Sequence, residues 1–151
     1  MAHHLARKLN CSAIDLDELI ARRERRTPQE IIEQDGEEEF RRIETEALRE
    51  VLSDASVQVI ALGGGAWTVA ENRKLLAQQG VLTVWLDAPF ELCWKRIEAG
   101  HATRPLAPSE EAARKLYSQR RPIYESGSVR VSVSEDESAE DIAMRVIAAL
   151  D

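Results

Sequence analysis

Apolar positions along this chain alternate between helical and strand spacing, and that alternation lays out its elements. Leu5, Ala6 and Leu9 share one face of a helix over Met1 to Asn10 that reads as the second half of a longer one. It runs into Ser12-Ala13-Ile14-Asp15, a short strand ending in a carboxylate. Thr27-Pro28-Gln29-Glu30 combines an N-cap, a proline at the first helical position and a capping-box glutamate, so a helix starts there. Asp35-Gly36 breaks it, and a second helix runs to about Leu52 with Phe40, Ile43, Ala47, Leu48 and Val51 on its apolar face. Val57 to Leu62 is a strand expected to be buried on both faces, bounded by Ser56 and three glycines.

The second half repeats the alternation. Glu71 to Gln79 is helical and ends at Gly80; Val81 to Leu86 is a buried strand closed by Asp87-Ala88-Pro89. Phe90 to Glu98 is a helix ending at Gly100, and His101 to Ser109, with two prolines and little periodicity, predicts a mobile loop. Glu110 to Arg121 is helical and is expected to stop near Pro122. Val129 to Val133 is a last strand, and Ser138 caps a helix carrying Ile142, Val146, Ile147 and Leu150. Strands alternating with helices imply a parallel sheet covered on both faces, so the expectation is one three-layer α/β/α domain over residues 1–151.

Composition narrows the function classes. The 44% apolar fraction suits a globular chain, and no run of ~18 apolar residues or basic-then-apolar leader suggests a membrane span or secretory signal. The net charge of −7 disfavours non-specific nucleic-acid binding. Cys11 and Cys93 are far apart and lack metal-ligand spacing, which suggests reduced thiols in the cytoplasm.

In such sheets ligands bind at the carboxyl ends of the strands. Asp15-Leu16-Asp17, Gly63-Gly64-Gly65 and Asp87 stand there. Two carboxylates two residues apart can divide labour between a metal ion and a substrate hydroxyl, or simply form a polar turn capping the next helix. The glycines either let backbone N–H groups approach a ligand or make a turn with positive φ. In Phe40-Arg41-Arg42-Ile43-Glu44, Arg41 flanks a face shared by Phe40 and Glu44, and its bland reading is a surface pair with Glu44. Arg120 stands where Pro122 stops a helix and could equally be a favourable cation at a helix C-terminus, and Arg104 lies in the predicted loop.

Taken in order, Asp15-x-Asp17, Gly36-Glu37, Phe40-Arg41-x-x-Glu44, Gly63-Gly64-Gly65, Glu71-Asn72-Arg73, Arg104-Pro105-Leu106 and Arg120-x-Pro122-x-Tyr124 resemble shikimate kinase, from about Leu5 to the end of the chain. The resemblance implies a P-loop-kinase-like sheet and transfer of the γ-phosphoryl group of ATP, with Mg2+, to the 3-hydroxyl of shikimate in aromatic amino-acid (chorismate) biosynthesis. It implies that Asp17 binds the substrate hydroxyls and orients or deprotonates the attacking one, and that Asp15 lies near Mg2+ through water. Arg41 and Arg120 would clamp the shikimate carboxylate, and Gly63, Gly64 and Gly65 would line the substrate, the last two through backbone N–H groups. Arg104, on a lid at about 101–114, would contact the nucleotide and neutralise charge on the transferring phosphoryl. A monomer is typical of the family.

Two departures go with the resemblance. Met1-Ala2-His3-His4 stands where the family has its strand and G-x-x-x-x-G-K-[ST] phosphate loop, so the sheet is expected to lack its first strand and phosphoryl transfer to be impaired. An in-frame segment of ~15–20 residues upstream is the expected remedy; otherwise the strand gap gives the chain a reason to associate. Ser134-Glu135-Asp136-Glu137 is acidic where relatives often carry a basic or proline-containing adenine loop. The alternatives are a non-catalytic shikimate-binding protein and a kinase of another small hydroxy acid.

Overall fold

The computed structural model describes residues 1–100, 105–127 and 129–150, and its chain divides into two compact units, Met1–Leu82 and Thr83–Asp151. No helix among the described residues is long and apolar enough to cross a membrane.

The first unit contains α1 (Ala2–Lys8), β1 (Ser12–Asp15), α2 (Leu16–Glu24), α3 (Pro28–Asp35), α4 (Glu37–Ser53), β2 (Val57–Ala61), a 3-10 turn at Ala66–Thr68 and α5 (Ala70–Gln78). β1 and β2 pair in parallel, with Asp15 opposite Ala61, so both strands end at the same edge. Asp17 and Gly63, each two residues further on, therefore leave that edge side by side. The capping box at the start of α3 is formed as its sequence predicts: Thr27 N donates to Glu30 Oε2 (2.6 Å) and Glu30 N to Thr27 Oγ1 (3.2 Å). On α4, Phe40, Ile43, Glu44, Ala47, Leu48 and Val51 are buried at helical spacing. The apolar ones join Leu16, Ile20, Ile31 and Leu76 in one core. Each large aliphatic side chain there contributes ~1.5–3 kcal/mol by leaving water.

α2 was not expected from the apolar pattern. Its nine residues are mostly charged, and only Leu16 and Ile20 are buried. The helix also ends at Arg25 with φ 54°, where a glycine would have marked the stop. The usable signal is chemical: Asp15 as N-cap, Asp17 and Glu18 in the first turn, Arg22 and Arg23 in the last.

The second unit contains β3 (Val84–Asp87), α6 (Phe90–Ala99), α7 (Glu110–Tyr124), β4 (Val129–Ser132) and α8 (Ala139–Leu150). β3 and β4 pair in parallel from Val84 opposite Val129 to Asp87 opposite Ser132. Phe90, Ala107 and Ala113 form a small core with Trp94, Leu116 and Tyr117. Parallel pairing in both ladders bears out the α/β reading.

Three expectations need correction. β3 starts at Val84, because Val81 packs against the core of the first unit. β2 and β3 are largely half-buried, each having a ladder partner on one side among the described residues. α7 does not stop near Pro122 but continues through it to Tyr124. The predicted loop is described only from Pro105 onward; residues 101–104 lie outside the described residues.

Candidate functional site

The first unit gathers most of the sequence-predicted residues at the carboxyl edge of β1 and β2. Asp15 caps α2: its Oδ1 accepts from Asp17 N (3.0 Å) and Glu18 N (3.3 Å). The capping reading of the Asp15-x-Asp17 pair therefore holds for Asp15. The cap fixes the first turn of α2 and with it the origin of the Asp17 side chain.

The glycines matter for space and not for φ. None of Gly63, Gly64 and Gly65 has positive φ; the glycines that do are Gly36 and Gly80. A Cβ on Gly63 would lie 3.0 Å from Asp17 Oδ1 and 3.1 Å from Oδ2. A Cβ on Gly65 would overlap the Arg41 guanidinium. The absent side chains are what allow a carboxylate and a guanidinium to lie against one short stretch of backbone. Asp17, Arg41, Gly63 and Gly65 are thus brought together by the fold.

Arg41 is not a surface residue. Its side chain is 16% exposed, and its Nη1 donates to Glu44 Oε2 at 2.8 Å, with Glu44 completely buried. Nη2 reaches Glu37 Oε1 at 3.1 Å on the outer side. The i,i+3 pair of the bland reading exists, but it is a buried anchor. Burial alone would lower the Arg41 pKa; the charges and hydrogen bonds of Glu44 and Glu37 outweigh it and raise the pKa. The guanidinium also lies 5.2 Å from the Phe40 ring centroid. It is held charged and in one place, which is what recognition of a carboxylate requires.

A buried network steadies the glycine stretch, and no role had been assigned to its members. Thr45 Oγ1 donates to Asn72 Oδ1 (2.8 Å), and Asn72 Nδ2 donates to Ala66 O (2.9 Å). Arg73 Nη1 donates to Trp67 O (2.7 Å) and Thr68 O (2.9 Å). These bonds tie the 3-10 turn that follows Gly65 to α4 and α5. Glu71-Asn72-Arg73 was visible as a motif, but its function depends on contacts six residues away.

In the second unit Arg120 is partly buried on the last turns of α7. Arg104 lies outside the described residues. Asp87, at the carboxyl end of β3, is buried between two arginines. Arg121 Nη1 and Nη2 fork its two oxygens at 2.7 and 3.2 Å, and Arg130 Nε donates to Oδ2 at 2.8 Å. Burial would push the Asp87 pKa up, but hydrogen bonds and charge from Arg121 and Arg130 hold it below the ordinary aspartate value. A cleft of about 530 Å³ beside this cluster is lined by residues including Asp87, Phe90, Tyr117, Arg121 and Ser132.

The acidic segment near Glu135 is largely neutralised. Glu135 pairs with Lys95, and Glu137 Oε1 accepts from Arg145 at 2.6 Å. A backbone hydrogen bond from Ser134 and the contact with Arg145 lower the Glu137 pKa to about 2. Cys11 and Cys93 are both free thiols. Among the described residues no three His, Cys, Asp or Glu side chains gather as a metal site.

Comparison with known proteins supplies the family. The family model for shikimate kinase matches residues 1–151. The shikimate kinase of Prochlorococcus marinus (strain NATL2A) is 36% identical over 145 residues, covering 94% of this chain and 71% of that protein. That of Cereibacter sphaeroides (strain ATCC 17023) is 39% identical over 149 residues, covering 97% and 73%. Among solved structures, shikimate kinase from Acinetobacter baumannii in complex with shikimate matches with a TM-score of 0.87 and 32% identity, covering 99% of this chain and 83% of that one. Shikimate kinase from Bacteroides thetaiotaomicron matches with a TM-score of 0.83 and 28% identity, covering 97% and 87%.

Proposed function

The chain belongs to the shikimate kinase family, and from that premise we propose that Asp17, Arg41 and the Gly63–Gly65 stretch form the shikimate-binding part of the first unit, and that Arg120 keeps the carboxylate-binding role that the resemblance implies. It is a phosphotransferase of that family, phosphorylating shikimate in aromatic biosynthesis with ATP as donor. The observation that carries the site reading is the packing of Asp17 against Gly63 and of Arg41 against Gly65. A carboxylate that accepts from hydroxyls and a buried, permanently charged fork for a carboxylate stand on one loop, matching the two polar ends of a hydroxylated ring acid.

Each residue then has a task. Arg41, braced by Glu44, takes the substrate carboxylate. Asp17 accepts from a ring hydroxyl, orients it and can take its proton at a carboxylate oxygen as the hydroxyl attacks. Backbone N–H groups of Gly64 and Gly65 contact the ring. Arg104, outside the described residues, keeps the nucleotide-facing role that the resemblance implies, on a lid at about 101–114 of a single domain.

Mg2+, when bound, would offset charge on the transferring phosphoryl. The donor set suits a hydrated ion held from outside its first shell. The cap bonds of Asp15 fall on Oδ1, which leaves Oδ2 to meet a water of the ion. A cytoplasmic monomer is the reading that goes with two free thiols and this family.

Calorimetric titration of the chain with shikimate tests the site. Arg41→Lys keeps the charge but loses the fork, and is expected to weaken binding by about tenfold or more. Equal affinity in the two proteins would refute the carboxylate role of Arg41.

A further inference from the structure

The last turns of α7 are weak by themselves. Pro122 has no N–H to give the Ser118 carbonyl, and its ring crowds that carbonyl, which destabilises a helix interior. The helix nevertheless continues to Tyr124, and side-chain ties to β3 lie on both sides of the proline. Before it, Arg121 forks Asp87, and Arg121 Nη1 also donates to Tyr117 Oη (2.9 Å), which donates to Ala88 O (3.0 Å). After it, Tyr124 stacks on Trp85 with ring centroids 6.0 Å apart and planes 12° from parallel.

Trp85 and Asp87 are two residues apart on β3, so they share a face of the strand. Tyr117, Arg121 and Tyr124 follow one another at intervals of four and three, so they share a face of α7. Two matched faces fix both the rotation and the axial position of the helix end. Arg120, one position from Arg121, is turned about 100° away from that face. Its side-chain origin is set by contacts it does not make.

We infer that Asp87 is a positioning residue for substrate binding: through Arg121 and Tyr117 it sets the rotation of the end of α7 and so the place of the Arg120 guanidinium. The inference rests on the reading of Arg120 as a carboxylate ligand. Asp87 itself touches neither substrate nor nucleotide in this scheme. Two arginines on one buried carboxylate also keep Arg121 from competing with Arg120 for the substrate's charge.

A double-mutant cycle on the full chain, read by calorimetry with shikimate, tests this. Arg121→Gln alone is expected to weaken shikimate binding about 5- to 20-fold, and Asp87→Asn to do the same if it folds. In an Arg120→Ala background, Arg121→Gln should have less than about a twofold further effect. Equal weakening in both backgrounds would make Arg121 a general structural tie and overturn the inference. So would unchanged affinity in Arg121→Gln, with or without a lower melting temperature. If Arg120→Ala itself leaves shikimate affinity intact, the carboxylate role of Arg120 fails, and the inference falls with it in a separately recognisable way.

Discussion

Gly65 leaves room for Arg41: a Cβ at position 65 would stand inside the guanidinium that Glu44 holds from below. The atoms in conflict are the far end of a long side chain, so a methyl group there displaces the guanidinium and leaves the backbone in place, but it loosens the Arg41–Glu44 pair. Gly65→Ala is therefore expected to lower the melting temperature, by less than Arg41→Ala, which removes the side chain altogether. It should weaken shikimate binding about 10- to 100-fold, through lost charge-assisted hydrogen bonds of ~1.5–3 kcal/mol. Calorimetry beside a thermal melt separates the two effects. Gly80→Ala lacks the binding effect: its φ of +63° costs ~1–2 kcal/mol of stability, with nothing nearby to move.

Glu44 is completely buried, so what happens to it depends on Arg41. Arg41→Ala removes the guanidinium that donates to that carboxylate at 2.8 Å, and loss of one member of a buried pair costs ~3–5 kcal/mol. Urea unfolding should show that loss, lowering the midpoint far more than Arg42→Ala does. Arg42 pairs with exposed Glu39 and Glu46, contacts that solvent screening leaves worth little. Equal midpoints for the two variants would show that the Arg41–Glu44 pair is not a structural anchor.

Parts of this site were readable residue by residue, and parts were not. Arg41 and Glu44 could be placed on neighbouring faces of a helix from spacing alone, but whether the pair was surface or buried depended on what α4 packs against. The triple glycine was visible, yet its reason was not: the choice between positive φ and close approach needed Asp17 and Arg41 in space. Alternating apolar runs were enough for the parallel α/β architecture, because strand and helix periods are local. α2 escaped because its signals are a cap and charge order in place of an apolar stripe. The passage of α7 through Pro122 escaped for a related reason, since the ties that hold it come from Trp85 and Asp87 on another element.

Asn72 joins α4, the 3-10 turn and α5 through Thr45 and Ala66 while fully buried. Asn72→Ala removes the partner of the Thr45 hydroxyl and leaves the Ala66 carbonyl with its bond from Val69 N (3.3 Å), at a cost of ~1–3 kcal/mol for a buried group left unsatisfied. The expected outcome is a lower urea midpoint together with a severalfold loss of shikimate affinity, because the turn it holds follows Gly65 directly. Retained affinity at temperatures where the variant is fully folded would confine Asn72 to stability.

Asp87 makes the second unit sensitive to acid in a defined window. Its folded-state pKa is held below the unfolded value of ~3.9, so its contribution is complete above that pH and is lost as pH falls through the folded value. At neutral pH, Asp87→Asn should lower stability by ~1–3 kcal/mol, the range for hydrogen bonds to a charged group. That gap should stay constant down to about pH 4 and close below it, because protonation makes the parent resemble the variant. Urea midpoints of the parent and Asp87→Asn, measured from neutral pH to about pH 2.5, check this. A parent-to-Asn gap as wide at the acid end as at neutral pH would show that the Asp87 carboxylate charge is not what holds α7 to β3.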